Sequence, residues 1–394
     1  MGFASGSVSF RRFLVVGEHP KEITQQILDK LAEFALQIGE YSVPDEVEYG
    51  WCGGRHVFDG NFSFEHNVFN EALNFALRID TNRVPGELKK AYQVMEEEAA
   101  AANNPSGHIS KKQKKDVKDI VRQKVEEDLK SGKFRRSKLV PILWDFPTRT
   151  LYTPGSNSAM EKLYELFERT FGLNLEPLSA GTVAQRHLED VKKRREYEDA
   201  RPTRFAAGPE GESQMPEYPW TAQGPQPKDF LGNEFLLWLW HHIETQGGTI
   251  KTEQVGDVAV VLDRSLELDC AYGQTGKDAL RGDGPTRMPE ARDGLRSGKM
   301  PRKAGLIIET AGKQYQLTFN CETLGCGSTV LPDVEEAEDA RVLFEERIFM
   351  LRDLSKGLDA LLYNFLKTRA SSAWEGQVNT IRRWIMQSSK QAAA

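Results

Sequence analysis

The stretch HISKKQKKDVKDIVRQKVEEDLKSGKFRRSK, residues 108–138, carries the strongest signal in this sequence. It holds twelve Lys or Arg and five carboxylates, which is a local net charge of +7 in a chain of 394 residues with a formal net charge of -6. Such a basic cluster is typical of a surface that meets an anionic polymer, because each cation that neutralises a phosphate releases a counterion. The alternative is a solvated helical face without a partner.

Two polar helices are predicted around this stretch. Residues 86–103 are rich in Glu, Lys and Ala, and Ser110 is a good N-cap for a second helix over residues 110–129. Residues 103–107 form a break between them. Because both helices have few large apolar side chains, neither can be buried on all sides. The sequence therefore predicts a protruding two-helix basic arm over residues 85–136.

The segments on either side of the arm predict a mixture of strands and helices. Residues 7–17 and 138–146 predict strands, and residues 62–80 predict mainly a strand. Residues 157–171 place their apolar side chains on one helical face, which predicts an amphipathic helix. Strands and helices in this order are typical of an α+β fold.

The C-terminal half predicts an α+β base region that ends in a long helix. Residues 230–246 are apolar on every side and predict a buried helix. Residues 258–272 keep their apolar side chains in even positions and predict a hairpin. Residues 335–368 predict a long helix whose apolar stripe is either core or a dimer seam. The expected domains are a central α+β domain (1–84 and 137–180), the helical arm or finger (85–136) and the base domain (181–394).

Motifs for catalysis are weak. Asp257, Asp263, Glu267 and Asp269 suggest a metal-dependent nuclease, but their odd positions place them opposite the apolar side chains, as on a solvated strand face. The turn GQTGKD at residues 273–278 lacks the first Gly and the final Ser or Thr of a phosphate-binding loop. We expect a protein that is not an enzyme and that needs no cofactor and no metal. A nuclease is the alternative.

Composition argues against a membrane protein. No window approaches the ~18–20 apolar residues of a membrane span, and the N-terminus lacks the basic-then-apolar order of a signal peptide. The four cysteines form no CxxC pair, so neither zinc nor a disulfide framework is suggested. We expect a cytoplasmic protein without a membrane partner.

The order of several short segments resembles the RdgC family of bacterial recombination-associated proteins. The resemblance covers most of residues 8–180 and residues 304–368, and the chain departs from the family by insertions near 199–228 and 249–300, a C-terminal extension and an acidic overall charge. The segments that carry it are Gly50-Trp51, Lys111-Lys112 with Lys114-Lys115, Lys133-Phe134-Arg135-Arg136, Trp144-Asp145, LNLEPLS at 173–179, residues 304–319 and the helix over 337–366.

The resemblance implies a function. Members of that family form ring-shaped homodimers, pass duplex DNA through a basic hole without reading its sequence, and limit the access of the RecA recombinase to DNA. This chain is then expected to be a nucleoid-associated homodimer whose arm is a finger that closes the ring. Phe134 would lie near the finger tip, where an aromatic wedge can contact bases. Local packing of Phe134 onto the arm is the alternative.

A protein-interaction module without DNA binding is a further alternative to the expected function. If the chain binds duplex DNA, two groups of residues are predicted to contact its phosphates. The first group is Lys111, Lys112, Lys114, Lys115, Lys118, Arg122, Lys133, Phe134, Arg135, Arg136 and Lys138, and the second group is Arg292, Arg296, Lys299, Arg302 and Lys303.

Overall fold

The computed structural model describes residues 2–36, 47–102, 104, 108–211, 213–222, 224, 226–273, 276–334 and 339–387. These residues form both strands and helices. The strands are β1 Val8–Val16, β2 Val47–Cys52, β3 Val68–Phe69, β4 Ala72–Asn82, β5 Arg135–Asp145, β6 Thr150–Thr153, β7 Asn174–Pro177, β8 Thr249–Thr252, β9 Gly256–Cys270, β10 Asp278–Gly282, β11 Lys299–Thr310, β12 Lys313–Asn320 and β13 Gly325–Val330. The α-helices are α1 Gln25–Glu33, α2 Phe64–Asn67, α3 Gly86–Ala102, α4 Lys111–Lys130, α5 Asn157–Phe171, α6 Ala180–Asp190, α7 Arg194–Asp199, α8 Phe230–Gln246, α9 Pro289–Arg296, α10 Ala340–Arg369 and α11 Trp374–Met386.

The described strands belong to one antiparallel sheet, and the predicted α+β class is confirmed. The strand order is β10-β9-β11-β12-β13-β1-β6-β5-β4-β2, with β3 beside β4, β7 beside β1 and β8 beside β9. The first strand joins the two halves of the sheet. Val8 and Phe10 pair with β13, and the following residues, Arg11–Leu14, pair with β6.

Two hydrophobic cores lie against this sheet. Phe13 and Phe75 belong to the smaller core, which α1 and α5 cover on one face of the N-terminal strands. Phe10 and Tyr152 belong to the larger core, which also contains the apolar residues of α6, α8, α10 and α11 and of the C-terminal strands. The larger core thus contains residues from both sides of residue 180, where the boundary between the central domain and the base domain was predicted.

Helices α8 and α10 supply the centre of the larger core. Helix α8 covers residues 230–246, as the sequence predicted, and its first twelve residues are all buried. The stripe of α10 packs in the core as well: Phe344, Leu351 and Phe365 are each at most 3% exposed. Of the two alternatives left open for this stripe, core packing is what the structure has.

The predicted hairpin over residues 258–272 is wrong, because residues 258–270 belong to one long strand, β9. Leu266 pairs with Ala304 and Leu262 pairs with Leu306, so three residues of β9 bulge opposite one residue of β11. Arg264 in this bulge has a φ of 65°, in the left-handed region. A bulge adds residues without reversing the chain, and the even-numbered side chains stay buried on both sides of it.

Residues 83–134 are an insertion between two paired strands. Strands β4 and β5 pair along their whole lengths, from Ala72 with Asp145 to Asn82 with Arg135. The chain leaves the sheet after Asn82, forms α3 and α4, which pack against each other, and re-enters at Arg135. We call the pair α3 and α4 the arm.

Among the helices that the structure describes, none combines the length and the apolar character needed to cross a membrane.

Candidate nucleic-acid interface

Helix α4 presents a row of cations on one side. Its start is fixed by a capping box in which the Ser110 hydroxyl accepts from the backbone of Gln113 and the Gln113 side chain accepts from the backbone of Ser110. Residues at i, i+3, i+4, i+7 and i+11 share one helical face. In α4 these positions are occupied by five cations that we call the lysine stripe: Lys111, Lys114, Lys115, Lys118 and Arg122.

The stripe points away from the contact between the two arm helices. The Tyr92 hydroxyl donates to Asp128 at 2.6 Å, and the Lys124 ammonium lies 2.5 Å from Glu96. These contacts, together with the buried Val117, mark the side of α4 that faces α3. At 100° per residue, the centre of this side is more than a quarter turn from the centre of the stripe, and Lys114 is the stripe residue nearest to it. All five stripe side chains are exposed.

The four lysines of the stripe differ from Arg122 in that neighbouring carboxylates do not neutralise them. Within the described residues, none of the four stripe lysines has an ion pair. Arg122 lies 3.6 Å from Asp119 and 3.8 Å from Glu126, and all three side chains are at least half exposed. Exposed pairs of this length contribute little free energy, so a phosphate can replace the carboxylates. Lys112 is exposed on an adjacent face of the same helix.

The other predicted residues of the first group lie at the opposite end of α4. Phe134 was expected near the arm tip, and this placement is wrong: it lies in the turn of residues 131–134 that joins α4 to β5, where the arm meets the sheet. Its half-buried ring is 5.4 Å from the Lys133 ammonium. Arg136 and Lys138 are exposed at the start of β5.

Arg135 belongs to a partly buried ionic network at the same end of the arm. Its guanidinium donates to Asp80 at 3.0 Å and to Glu48 at 3.0 Å. Asp80 also accepts two hydrogen bonds from Arg78, at 2.9 and 2.5 Å, and is 1% exposed. Although burial alone raises the pKa of Asp80, the hydrogen bonds from Arg78, Ser137 and Arg135 hold that pKa below its usual value.

The second predicted group differs from the stripe, because its cations are already paired. Arg302 donates to Glu322 at 2.9 Å and to Asp269 at 3.1 Å, and Lys303 lies 3.5 Å from Glu267. Lys299 donates to Asp278 at 2.7 Å. Two of the four carboxylates that suggested a nuclease, Glu267 and Asp269, therefore pair with Lys303 and Arg302 across β9 and β11.

The remaining two members of the second group hold α11 in place. The Arg292 guanidinium lies 3.7 Å from the centre of the Trp384 ring, donates to the Trp384 carbonyl at 2.6 Å, and pairs with Glu244. Arg296 donates to the carbonyls of Ile385 at 3.0 Å and Gln387 at 2.7 Å. Both arginines thus satisfy carbonyl groups at the C-terminal end of a helix, which favours nearby cations.

Sequence reasoning missed the network of Arg78 and Asp80. These residues alternate with the apolar Leu77 and Ile79, and a charged residue between apolar ones normally indicates a solvated face. In the structure both charged side chains are buried, because the start of β5 brings Arg135 over this face of β4. Charges of opposite sign two residues apart in one strand were the available signal.

In the described part of the chain, no cluster of three His, Cys, Asp or Glu could hold a metal ion. Lys277 of the candidate phosphate loop pairs with Glu267 at 2.9 Å, and residues 274 and 275 of that loop lie outside the described residues. The site with the clearest chemistry is the lysine stripe.

Comparison with protein-family models found no match to this chain, and a search of curated proteins found none either.

Proposed function

We propose that this chain binds duplex DNA without reading its sequence, through the lysine stripe of the arm. The observation that carries the proposal is the contrast between the two basic groups. The cations of the second group are paired within the protein, whereas the four lysines of the stripe are exposed and have no ion pair among the described residues. An unpaired row of cations is the arrangement that gains most from neutralising phosphates.

The dimensions of the stripe suit a phosphate backbone. From Lys111 to Arg122 it runs about 17 Å along α4, at 1.5 Å per residue. One DNA strand carries a phosphate for about every 3.4 Å of its axis, so the stripe spans about five base-pair steps. Lys and Arg side chains that contact phosphates position a protein on DNA but carry no sequence information. Lys112 on the adjacent face of α4, and Arg136 and Lys138 at the start of β5, are further exposed cations.

The resemblance to the RdgC family extends this proposal. It adds a homodimeric ring around the duplex, association with the nucleoid and antagonism of RecA-type recombination. These additions rest on the resemblance alone, and the stripe by itself supports only the contact with DNA. The arm takes the place of the finger that closes the ring, with its stripe toward the duplex.

The test is the anisotropy of a fluorescent duplex of mixed sequence, titrated with the full chain with and without magnesium. If all five stripe cations contact phosphates, log K falls with log [salt] at a slope of about -4.5, which is a loss of about 500-fold between 50 and 200 mM salt. Duplexes of unrelated sequence should bind equally well. Intact DNA after incubation with magnesium is expected.

Other outcomes would overturn the proposal. Failure to bind at low salt would favour a protein-interaction module. Binding followed by magnesium-dependent cleavage would favour the nuclease.

A control variant with Lys→Gln substitutions at Lys299 and Lys303, which are paired with carboxylates in the protein, should retain the salt slope. The same substitutions at Lys114 and Lys118 should lower the magnitude of the salt slope by about two units.

A further inference from the structure

The junction between the arm and the sheet is fixed on both strands. Asn82 is the last residue of β4, and its side-chain amide donates to the carbonyl of Leu129 in the last turn of α4 at 2.8 Å. Arg135 is the first residue of β5 and pairs with Asn82 in the strand register. Its guanidinium joins Asp80 of β4 to Glu48 of β2. We call Asn82, Arg135, Asp80 and Glu48 the arm root.

The root is buried at Asp80 and Asn82 and partly exposed at Arg135 and Glu48, whose side chains are 20% and 29% exposed. Asn82 and Asp80 are 2% and 1% exposed, and Leu129 is 3% exposed. Two cations, Arg78 and Arg135, face two carboxylates, Asp80 and Glu48, so the network is electrically balanced. Buried hydrogen bonds and ion pairs that join several strands favour a single arrangement of the groups that they link. Beyond the root, the arm helices pack mainly on each other.

The contacts continue from the root into both helices of the arm. Leu129 adjoins Asp128, which accepts from Tyr92 of α3, and four residues earlier on α4 Lys124 pairs with Glu96 of α3. In the helical phase of α4, Leu129 is in line with Lys111, Lys118 and Arg122. The hydrogen bond from Asn82 to the Leu129 carbonyl therefore holds the last turn of the helix that carries the lysine stripe.

We propose that Asn82, Arg135 and Glu48 are positioning residues, which hold the arm at a fixed angle to the sheet so that the stripe is preorganised for a duplex. This inference rests on the proposed DNA binding for its functional part. It reassigns Arg135 from a phosphate contact to a residue that acts through the arm. Preorganisation raises affinity because less conformational entropy is lost when the arm binds.

The inference is tested first without DNA, by hydrogen exchange of the full-length protein. Asn82→Ala removes one buried hydrogen bond, so the slowest amides of α4 should exchange about fivefold faster. Asn364→Ala is the matched control, because the Asn364 amide donates to the carbonyl of Lys251 at 3.0 Å, far from the arm in sequence. Unchanged exchange in α4 of the Asn82 variant would overturn the inference, whether or not the protein binds DNA.

The second test separates positioning from phosphate contact. Asn82→Ala should weaken DNA binding about fivefold with an unchanged salt slope, because the slope counts neutralised phosphates. Glu48→Gln, a milder change, should weaken binding about twofold, although the loss of a negative charge alone would strengthen it. Glu176→Gln, which breaks the exposed pair with Arg186, is the control and should bind at least as tightly as the wild type.

The outcomes distinguish the two proposals. If the wild type does not bind DNA, the proposed function fails, while faster exchange of α4 in the variants still supports the rigid root. If the wild type binds and the Asn82 and Glu48 variants exchange faster but bind with wild-type affinity, the positioning role is wrong and the proposed function stands. If Arg135→Gln lowers the salt slope by about one unit, Arg135 contacts a phosphate after all.

Discussion

The guanidinium of Arg12 on β1 donates two hydrogen bonds to the carboxylate of Asp359 on α10, at 2.7 and 2.6 Å. These residues are 347 positions apart in the chain, and the pair ties the long C-terminal helix to the first strand. Arg12 is 4% exposed, so its charge has little access to water. Tyr152 and Ser355 hydrogen-bond at 3.3 Å between the same helix and β6.

We expect Asp359→Ala to lower the free energy of unfolding by about 3 kcal/mol, because it leaves a buried guanidinium without its partner. Urea denaturation followed by circular dichroism measures this loss. The exposed pair between Arg186 and Glu176 provides the control, and Glu176→Ala should cost less than about 1 kcal/mol. Equal losses in the two variants would mean that the buried pair contributes no more than a surface pair.

Two glycines in helices should respond to alanine in opposite directions. A Cβ on Gly232 of α8 would lie 1.9 Å from the carbonyl oxygen of Cys321, whereas a Cβ on Gly376 of α11 meets nothing within 4 Å. Alanine in an open helical position stabilises by up to about 1 kcal/mol over glycine. The backbone clash at Gly232 outweighs that gain, and overpacking in a core costs about 1–3 kcal/mol or more.

Thermal unfolding of the two variants provides the measurement. Gly376→Ala should raise Tm, and Gly232→Ala should lower it by several degrees. A rise in Tm for Gly232→Ala would show that α8 can move away from the Cys321 carbonyl at little cost. The close approach of α8 to the chain after β12 would then not be a constraint on the core.

The elements that the sequence predicted well are those with a local signal. Helix α8 has the predicted bounds because a run of apolar residues needs no partner to be recognised. Strand β9 was taken for a hairpin because period two does not distinguish one long strand with a bulge from two short strands. The left-handed conformation of Arg264, which makes the difference, leaves no mark in composition.

The site was only partly predictable for a related reason. The lysine stripe lies within one helix, so its spacing alone places the five cations on one face. Whether Arg302 and Lys303 are free depends on the register between β9 and β11, which sets Lys303 opposite Glu267. Such pairing between distant segments is a tertiary property. Two basic clusters that look alike in sequence therefore differ in the structure.

His241 should make the stability of the protein depend on pH in the acid range. It is 2% exposed, its ring lies 5.2 Å from that of Trp384, and the Gln377 amide is 3.5 Å from Nδ1. Burial, together with the charges of His242 and Arg292, lowers the pKa of His241 to about 4. The Glu244 carboxylate, which pairs with Arg292, faces the same cluster.

The sign follows from the two protonation states. The unfolded chain binds this proton at a pKa of about 6.5 and the folded chain only near 4. Protonation of His241 therefore does not reduce the free energy of unfolding above pH 6.5, and reduces it progressively as the pH falls toward 4, because the unfolded chain takes up the proton first. We expect His241→Gln to flatten the decline in unfolding free energy between pH 7 and pH 4 by about 3 kcal/mol. Urea denaturation across this range measures it, with the exposed His108→Gln as control. An unchanged profile for His241→Gln would assign the decline to other groups.

Single lysines of the stripe should be distinguishable from lysines elsewhere by the salt dependence of DNA binding. Lys118 of α4 and Lys30 of α1 are both exposed helical lysines, so Lys118→Gln and Lys30→Gln change the net charge and the helix alike. We expect Lys118→Gln to lower the magnitude of the salt slope by about 0.9 and Lys30→Gln to leave it unchanged, because only a phosphate contact releases a counterion. Anisotropy titrations at several salt concentrations give both slopes. If the two variants lose affinity equally and keep the wild-type slope, binding follows net charge alone, and the stripe is not the contact surface.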